Sequence, residues 1–356
     1  MVKIVDVANR AGVSIGTVSN VINGRTKTMG AGILQKVQEA IADLGYQPNR
    51  AARFLKTGHT PLIGLLVPSI ANPTWGWLSR EVELAAQGEF GYRILAGNTD
   101  RDPQKEMSFL EDLLSHGIRG VIIVSPLVEL DHLKESIKRG LVAVIHDQRS
   151  LSGRGLDVDY VSINHVEAIG IAVNHLIENG HQRLAFATAS GKSVSRMDKI
   201  TGFLAATSAA NLSETSEIIE GKASARYGDD EMPQLGRTIA EQIAARQIRP
   251  TGIVALNDML AMGLILGFQN CGLRVPEDIS VIGMDDLITS AFISPGITSV
   301  RPPLSEMAKT MVSRIVTRLG NPLEKTQERI FSPRLVVRGS VANLFLDGNH
   351  GNQTGK

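Results

Sequence analysis

Ile4-Val5-Asp6-Val7-Ala8-Asn9-Arg10-Ala11-Gly12-Val13-Ser14-Ile15-Gly16-Thr17-Val18-Ser19-Asn20-Val21-Ile22-Asn23 decides the organisation of this chain. Ile4, Val7, Ala8 and Ala11 recur at helical spacing and predict a first amphipathic helix. Gly12 suits the left-handed residue that closes it. Val13 can plug the crevice before a second helix, and Ser14 can cap that helix by accepting from a free N–H. Val18, Val21 and Ile22 supply its buried stripe. The opposite face carries Ile15, Gly16, Thr17, Ser19, Asn20 and Asn23, short groups without a carboxylate. Two short helices about a tight turn form a helix-turn-helix, whose second helix fits the DNA major groove. Asn is a natural partner for adenine there. An ordinary helical hairpin would show the same periodicity, so the rest of the chain has to decide.

Charge favours the first reading. The chain of 356 residues has net charge +1, but residues 1–60 hold eight Lys and Arg against three Asp and Glu. The front is therefore net +5 and the remainder net −4, as expected for a head that meets phosphate and a body that does not. A hydrophobic content of 43% and charged content of 21% fit folded globular structure. The single cysteine, Cys271, excludes an internal disulfide framework and suits a reducing compartment. No run is apolar enough for a bilayer and no signal peptide is visible, which gives a cytoplasmic expectation without a membrane partner.

Ile33, Val37, Ala40, Ile41 and Leu44 predict a third helix closed by Gly45, completing a small head. Residues 46–58 open with Pro48 and end at Gly58, and read as a short linker helix, marginal unless something packs on it. From Leu62 the texture changes to short apolar runs alternating with helical patterns. Strands are expected at 62–67, 92–96, 120–124 and 141–145, then at 183–187, near 218–219, at 252–256 and at 280–284. The intervening helices predict right-handed crossovers and parallel sheets. The cycle restarts after residue 160, so the body reads as two doubly wound halves with a ligand cleft between them, outside the carboxyl ends of the strands. The expected domains are a helix-turn-helix head over 1–47, a hinge over 48–60, a two-lobed body over 61–342 and a mobile tail over 343–356.

These segments resemble the lactose/galactose repressor (LacI/GalR) family over about residues 1–342. The match is carried by Asp6-Val7-Ala8, Ala11-Gly12-Val13-Ser14, Leu44-Gly45-Tyr46-Gln47-Pro48-Asn49 and Ala52-Arg53-Phe54-Leu55. In the body it is carried by Ile63-Gly64-Leu65-Leu66-Val67-Pro68 with Asn72-Pro73, Asn257-Asp258-Met259-Leu260-Ala261, and Val275-Pro276-Glu277-Asp278-Ile279-Ser280. The resemblance implies a three-helix head on a periplasmic-binding-protein-like body, and a homodimer that represses transcription from a near-palindromic operator. Ser14, Ile15, Gly16, Thr17, Ser19, Asn20 and Asn23 would then serve the reading helix, with Asn49, Arg53 and Lys56 at phosphate or minor-groove edges. Leu55 would be the wedge at the operator centre. The implied effector residues are Asn72, Trp75, Asp147, Ser193, Ser195, Arg196, Lys199, Asn257, Asp258 and Asp285. This inventory suits a sugar or sugar derivative: carboxylates and amides bond hydroxyls while an indole face covers C–H surface. Arg196 and Lys199 would equally suit an anionic ligand, and Asp258 reads as well as a helix cap. Departures from the family pattern lie at Gly30, Ile33 and Leu34, where a Ser cap and a Thr-Arg pair are usual, and at Gly16, which removes a side chain from the reading face.

No phosphate loop, metal-spaced cluster or nucleophile elbow appears, so neither an enzyme nor a cofactor is expected. Cys271 is expected in the core and His181 in a structural role. A solute-binding protein would share the body, but not the basic head. Effector binding and DNA binding would be coupled reciprocally, with the ligand as inducer or co-repressor.

Overall fold

The structure is a computed structural model that describes residues 2–22, 26, 29–46, 61–150, 155–223 and 231–347. The chain divides into two compact units, Met1–Thr60 and Pro61–Lys356. The expected contacts Asn23, Asn49, Arg53, Leu55 and Lys56, with the linker helix, lie outside the described residues.

The first unit holds α1 (Ile4–Ala11), α2 (Ile15–Ile22) and α3 (Ala31–Asp43). Val7, Ala8, Ala11, Val18, Val37 and Ala40 form its core, with Val13 packed against them. Gly12 closes α1 at φ 65°, as a left-handed cap requires. The Thr17 N–H donates to Ser14 Oγ at 3.1 Å and starts α2. Gly30 precedes α3 without a side-chain cap. Ile33, expected in the α3 stripe, is exposed instead; the buried stripe begins one turn later at Val37.

The second unit holds two six-stranded sheets. In the first lobe, β1 (Leu62–Val67), β2 (Arg93–Asn98), β3 (Gly120–Val124), β4 (Val142–His146), β5 (Asp159–Ile163) and β11 (Glu328–Phe331) lie in the order β11-β5-β4-β3-β1-β2, all parallel. In the second, β6 (Leu184–Ala189), β7 (Ser216–Gly221), β8 (Gly252–Ala255), β9 (Ser280–Met284), β10 (Thr298–Arg301) and β12 (Arg334–Val336) lie in the order β12-β10-β9-β8-β6-β7, with β12 antiparallel. The central strands β3, β6, β8 and β9 are buried throughout, because helices cover both faces of a parallel sheet. The helices are α4 (Pro73–Ala85), α5 (Pro103–Ser115), α6 (Lys134–Lys138), α7 (His165–Glu178), α8 (Val194–Ala209), α9 (Glu231–Ala244), α10 (Asp258–Asn270) and α11 (Leu304–Gly320).

The two halves are not two consecutive stretches of chain. The strand β5 of the first sheet runs into α7, which packs in the second lobe. After β10 the chain returns: Leu304, Met307, Ala308, Met311, Val312 and Ile315 of α11 pack on the first sheet. It then forms β11 there and crosses once more to β12. Asp159 on β5 secures that return. Its side chain is fully buried and accepts from Arg314 Nε at 2.7 Å, Arg318 Nη1 at 3.2 Å and the Gln327 N–H at 2.9 Å. At the start of the expected tail, Leu344–Asp347 is a short helix, and the Leu344 N–H donates to the Asn179 carbonyl at 2.9 Å.

Candidate effector cleft and reading helix

In each lobe the strand ends leave backbone that must be capped, and those caps build a cleft between the lobes. Asn72 follows β1 and caps α4, accepting from the Thr74 N–H at 2.9 Å. Trp75, one residue further on, meets His146 edge to face at 6.0 Å and 88°. Asp147 follows β4 directly at φ 62°, a conformation that strains a residue with a Cβ. Its carboxylate pairs with His165 Nε2 at 2.6 Å. His165 opens α7, is buried, and its Nδ1 has no hydrogen-bond partner among the described residues.

The second lobe supplies the facing wall. Ser193 caps α8 by accepting from the Arg196 N–H at 3.2 Å, with Ser195 Oγ at 3.4 Å from its hydroxyl. Lys199 Nζ donates to the Leu256 carbonyl at 3.2 Å. Asn257 caps α10 by accepting from the Leu260 N–H at 2.9 Å. Asp285 follows β9 at φ 105° and accepts from Thr74 Oγ1 at 2.9 Å, a bond between the lobes. Outside that point, Arg149 Nε and Nη2 fork onto Asp198 of α8 at 3.0–3.3 Å, a second link across the lobes.

Asn72, Trp75, Asp147, Ser193, Ser195, Arg196, Lys199, Asn257 and Asp285 all line this cleft. About 1020 Å³ of space, open solvent at the mouth included, lies within it. Thr74, Arg101, His146, His165, Met232, Met284 and Met307 also line it and went unread in the sequence. His165 follows an unread strand, and the methionines look like ordinary core. Asp258 is a correction: it is outside the cleft, and Asn257 is the cap. Wholly buried, Asp258 accepts from the Leu287 N–H at 2.7 Å and the hydroxyls of Ser290 and Ser299 at 2.6 Å. Arg196 lines the cleft, but its Nη1 donates to the Ser190 and Gly191 carbonyls at 2.7 Å and holds its own loop.

Electrostatics separate the two cleft carboxylates. Burial favours the neutral form of Asp147, but the charge and hydrogen bond of His165, with His146 and Lys199 beyond, hold it well below the ordinary range. Burial pushes Asp285 up to about 7, against the opposing pull of Lys199 and with Asp258 adding to the rise. Burial likewise raises Asp258 to about 6 despite its three donors. One carboxylate is therefore a fixed acceptor, and the other changes protonation near neutrality.

Elsewhere, His181 is buried beside Thr251 Oγ1 at 3.0 Å, and burial lowers it to about 4. Cys271 is exposed at the C-terminal cap of α10, not in the core. Among the described residues, no group of three His, Cys, Asp or Glu side chains is placed to hold a metal, and no helix is long and apolar enough to cross a membrane. In the head, Ile15, Gly16 and Asn20 of α2 are exposed, Thr17 and Ser19 are half-buried, and Ser14 precedes them as the cap.

Residues 3–49 match the model for bacterial regulatory proteins of the lacI family, and residues 173–341 match a periplasmic binding protein-like domain. The HTH-type transcriptional repressor PurR of Aliivibrio fischeri is 35% identical over 350 residues, covering 96% of this chain and 99% of that one. The chain belongs to the lacI family. Among solved structures, a lac repressor dimer bound to operator and the anti-inducer ONPF is 25% identical with a TM-score of 0.80, over 96% of this chain and 99% of that one. A LacI family regulator from Enterococcus faecium with bound ribose is 27% identical with a TM-score of 0.69, over 80% of this chain and 99% of that one. This lacI-family chain is thus a DNA-binding transcriptional repressor with a ligand-binding body, not an enzyme.

Proposed function

We propose that this repressor is cytoplasmic and binds a near-palindromic operator as a homodimer, one α2 per half-site, with a sugar-type molecule in the cleft setting its affinity. A two-fold protein requires a two-fold site. Exposed Ile70, Leu84, Leu95, Ile288 and Phe292 lie within or beside segments 70–120 and 285–315, the surface a partner copy would cover. Asn49, Arg53 and Lys56 are assigned to phosphate and minor-groove edges and Leu55 to the central wedge on sequence grounds.

The observation that carries the ligand reading is the meeting of both lobes on one polar cleft. Asp147 and Asp285 accept, Lys199 and Asn257 donate, and Trp75 offers an apolar face, the set a hydroxyl-rich ring uses. The ribose-bound relative supports it. The proposed ligand contacts are Asn72, Trp75, Asp147, Ser193, Ser195, Lys199, Asn257 and Asp285. With Arg196 held by its loop and two carboxylates facing Lys199, the cleft favours a neutral ligand over a phosphorylated one.

The test is a gel shift of the full chain on an operator selected from random duplexes, titrated with pentoses, hexoses, sugar acids and purine bases. A neutral sugar should change operator affinity about fivefold or more, the range of ordinary allosteric coupling. The direction of the change distinguishes inducer from co-repressor. A response to purine bases alone would replace the sugar reading, and a monomer indifferent to every duplex would overturn the whole proposal.

A further inference from the structure

The outward face of α2 has an unusual chemistry. Ile15 is 48% exposed at its first position, and Gly16 and Asn20 are exposed beside it. Thr17 is occupied: its hydroxyl lies 2.9 Å from Ser14 Oγ, and its N–H donates to the same oxygen. No Arg, Lys or Gln lies between Ile15 and Ile22, so α2 itself holds none of the forked donors that read guanine.

Gly16 is the second observation. Gly16 is the second residue of α2, in its first turn, and alanine has the higher helix propensity. Nothing among the described residues of the head demands glycine: φ at Gly16 is not positive, and a Cβ built there would meet only Ser14 Oγ, at an ordinary 3.6 Å. The missing side chain makes sense if another surface comes close to the helix at that point. Apolar Ile15 fits the same account: about half of its surface is exposed and would gain by burial against a partner.

We propose that α2 reads A·T pairs. Ile15 packs on the C5 methyl of a thymine, bare backbone at Gly16 lets the helix sit deep in the major groove, and Asn20 takes an adenine through its N6 and N7 edge. This rests on the operator reading above and adds the bases that the helix selects.

The test begins with selection of full-length protein on random duplexes at low salt. Half-sites should carry A·T pairs beneath α2. Each selected dT is then replaced by dU, which keeps pairing and removes only the methyl. At one position the loss should be about fourfold, the worth of one buried methyl-sized group. Ile15→Ala, a change at an exposed site, should bind dT and dU equally there. Gly16→Ala should weaken binding about tenfold or more while raising the melting temperature of the head. Tight selected binding with G·C beneath α2, or with no dU-sensitive position, overturns the base assignment and leaves the operator reading standing. Failure to enrich any duplex overturns both.

Discussion

Asp159→Asn should loosen the return of α11 to the first lobe, and the size of the effect follows from its partners. Asp159 is the shared acceptor for Arg314 and Arg318, whose side chains are only 10% and 6% exposed. Asparagine keeps the shape and one acceptor oxygen for the Gln327 N–H, but removes the charge. Breaking a buried pair by removing one partner costs about 3–5 kcal/mol, because the remaining charge stays out of water. Glu324 still faces Arg314 at 3.2 Å and Asp157 still faces Arg318 at 2.8 Å. Those acids are more exposed and moderate the loss, so the lower end, about 3 kcal/mol, applies. At about 2–4 °C per kcal/mol for a domain of this size, the melting temperature should fall by roughly 6–12 °C. Calorimetry on ligand-free protein at pH 7.5 measures it. Replacing Asp159, Arg314 and Arg318 together with apolar residues should recover much of the loss. A single variant melting within 2 °C of the parent would refute the idea that buried charge pairing holds α11 in place.

Arg149→Ala removes the outer link between the lobes. Its pair with Asp198 is 45% and 17% exposed, so melting should shift little. Ligand affinity should fall about threefold at low ionic strength, as the closed arrangement is less populated, with the difference vanishing in high salt; calorimetric affinities equal to the parent at low salt would contradict this. Asp285 and Asp258, raised to about 7 and about 6, contribute stability while protonated and lose that contribution as pH rises through those values. The melting temperature of Asp285→Asn relative to the parent should therefore climb between pH 5 and pH 8, and a constant difference would count against it. His181, lowered to about 4, acts oppositely: its contribution is complete above about pH 6.5 and disappears as pH falls to 4, so His181→Phe should flatten the acid limb of a melting curve. Gly263→Ala drives a Cβ into the backbone of Pro233 where α10 crosses α9. Overpacking of about 1–3 kcal/mol outweighs the gain of about 1 kcal/mol in helix propensity, so this variant should melt lower than the parent.

The head and the central strands were legible because their signals are local. Residues 4–22 carry both helix periods and both turn residues, and β1, β3, β4, β6, β8 and β9 are short apolar runs, as buried parallel strands must be. The strands β5, β10, β11 and β12 were not, because Asp159, Thr298, Arg301, Glu328, Arg329 and Arg334 interrupt any apolar run. Their identity comes from tertiary pairing: Asp159 is tolerable in a strand only because two arginines reach it from α11. The same non-local chemistry hid His165, whose partner Asp147 lies across an unread strand, and moved Asp258 from the cleft into a network with Ser290 and Ser299. Asn257 and Asp258 are both good cap residues, and only the backbone decides which one caps. Lys199 was visible as a cleft cation; that Arg196 is held by its own loop was not.

The chain passes between the lobes three times, after β5, after β10 and after β11, so neither lobe is encoded by a continuous stretch of gene. A nascent chain that has emerged only to Arg301 holds five strands of the first sheet but only α4 of the two helices, α4 and α11, that cover one face. That face stays half covered until residues 304–331 leave the ribosome. The first lobe is thus completed only by the C-terminal part of the chain, and any C-terminal truncation short of β11 should release an aggregation-prone first lobe even though β1–β5 are all present.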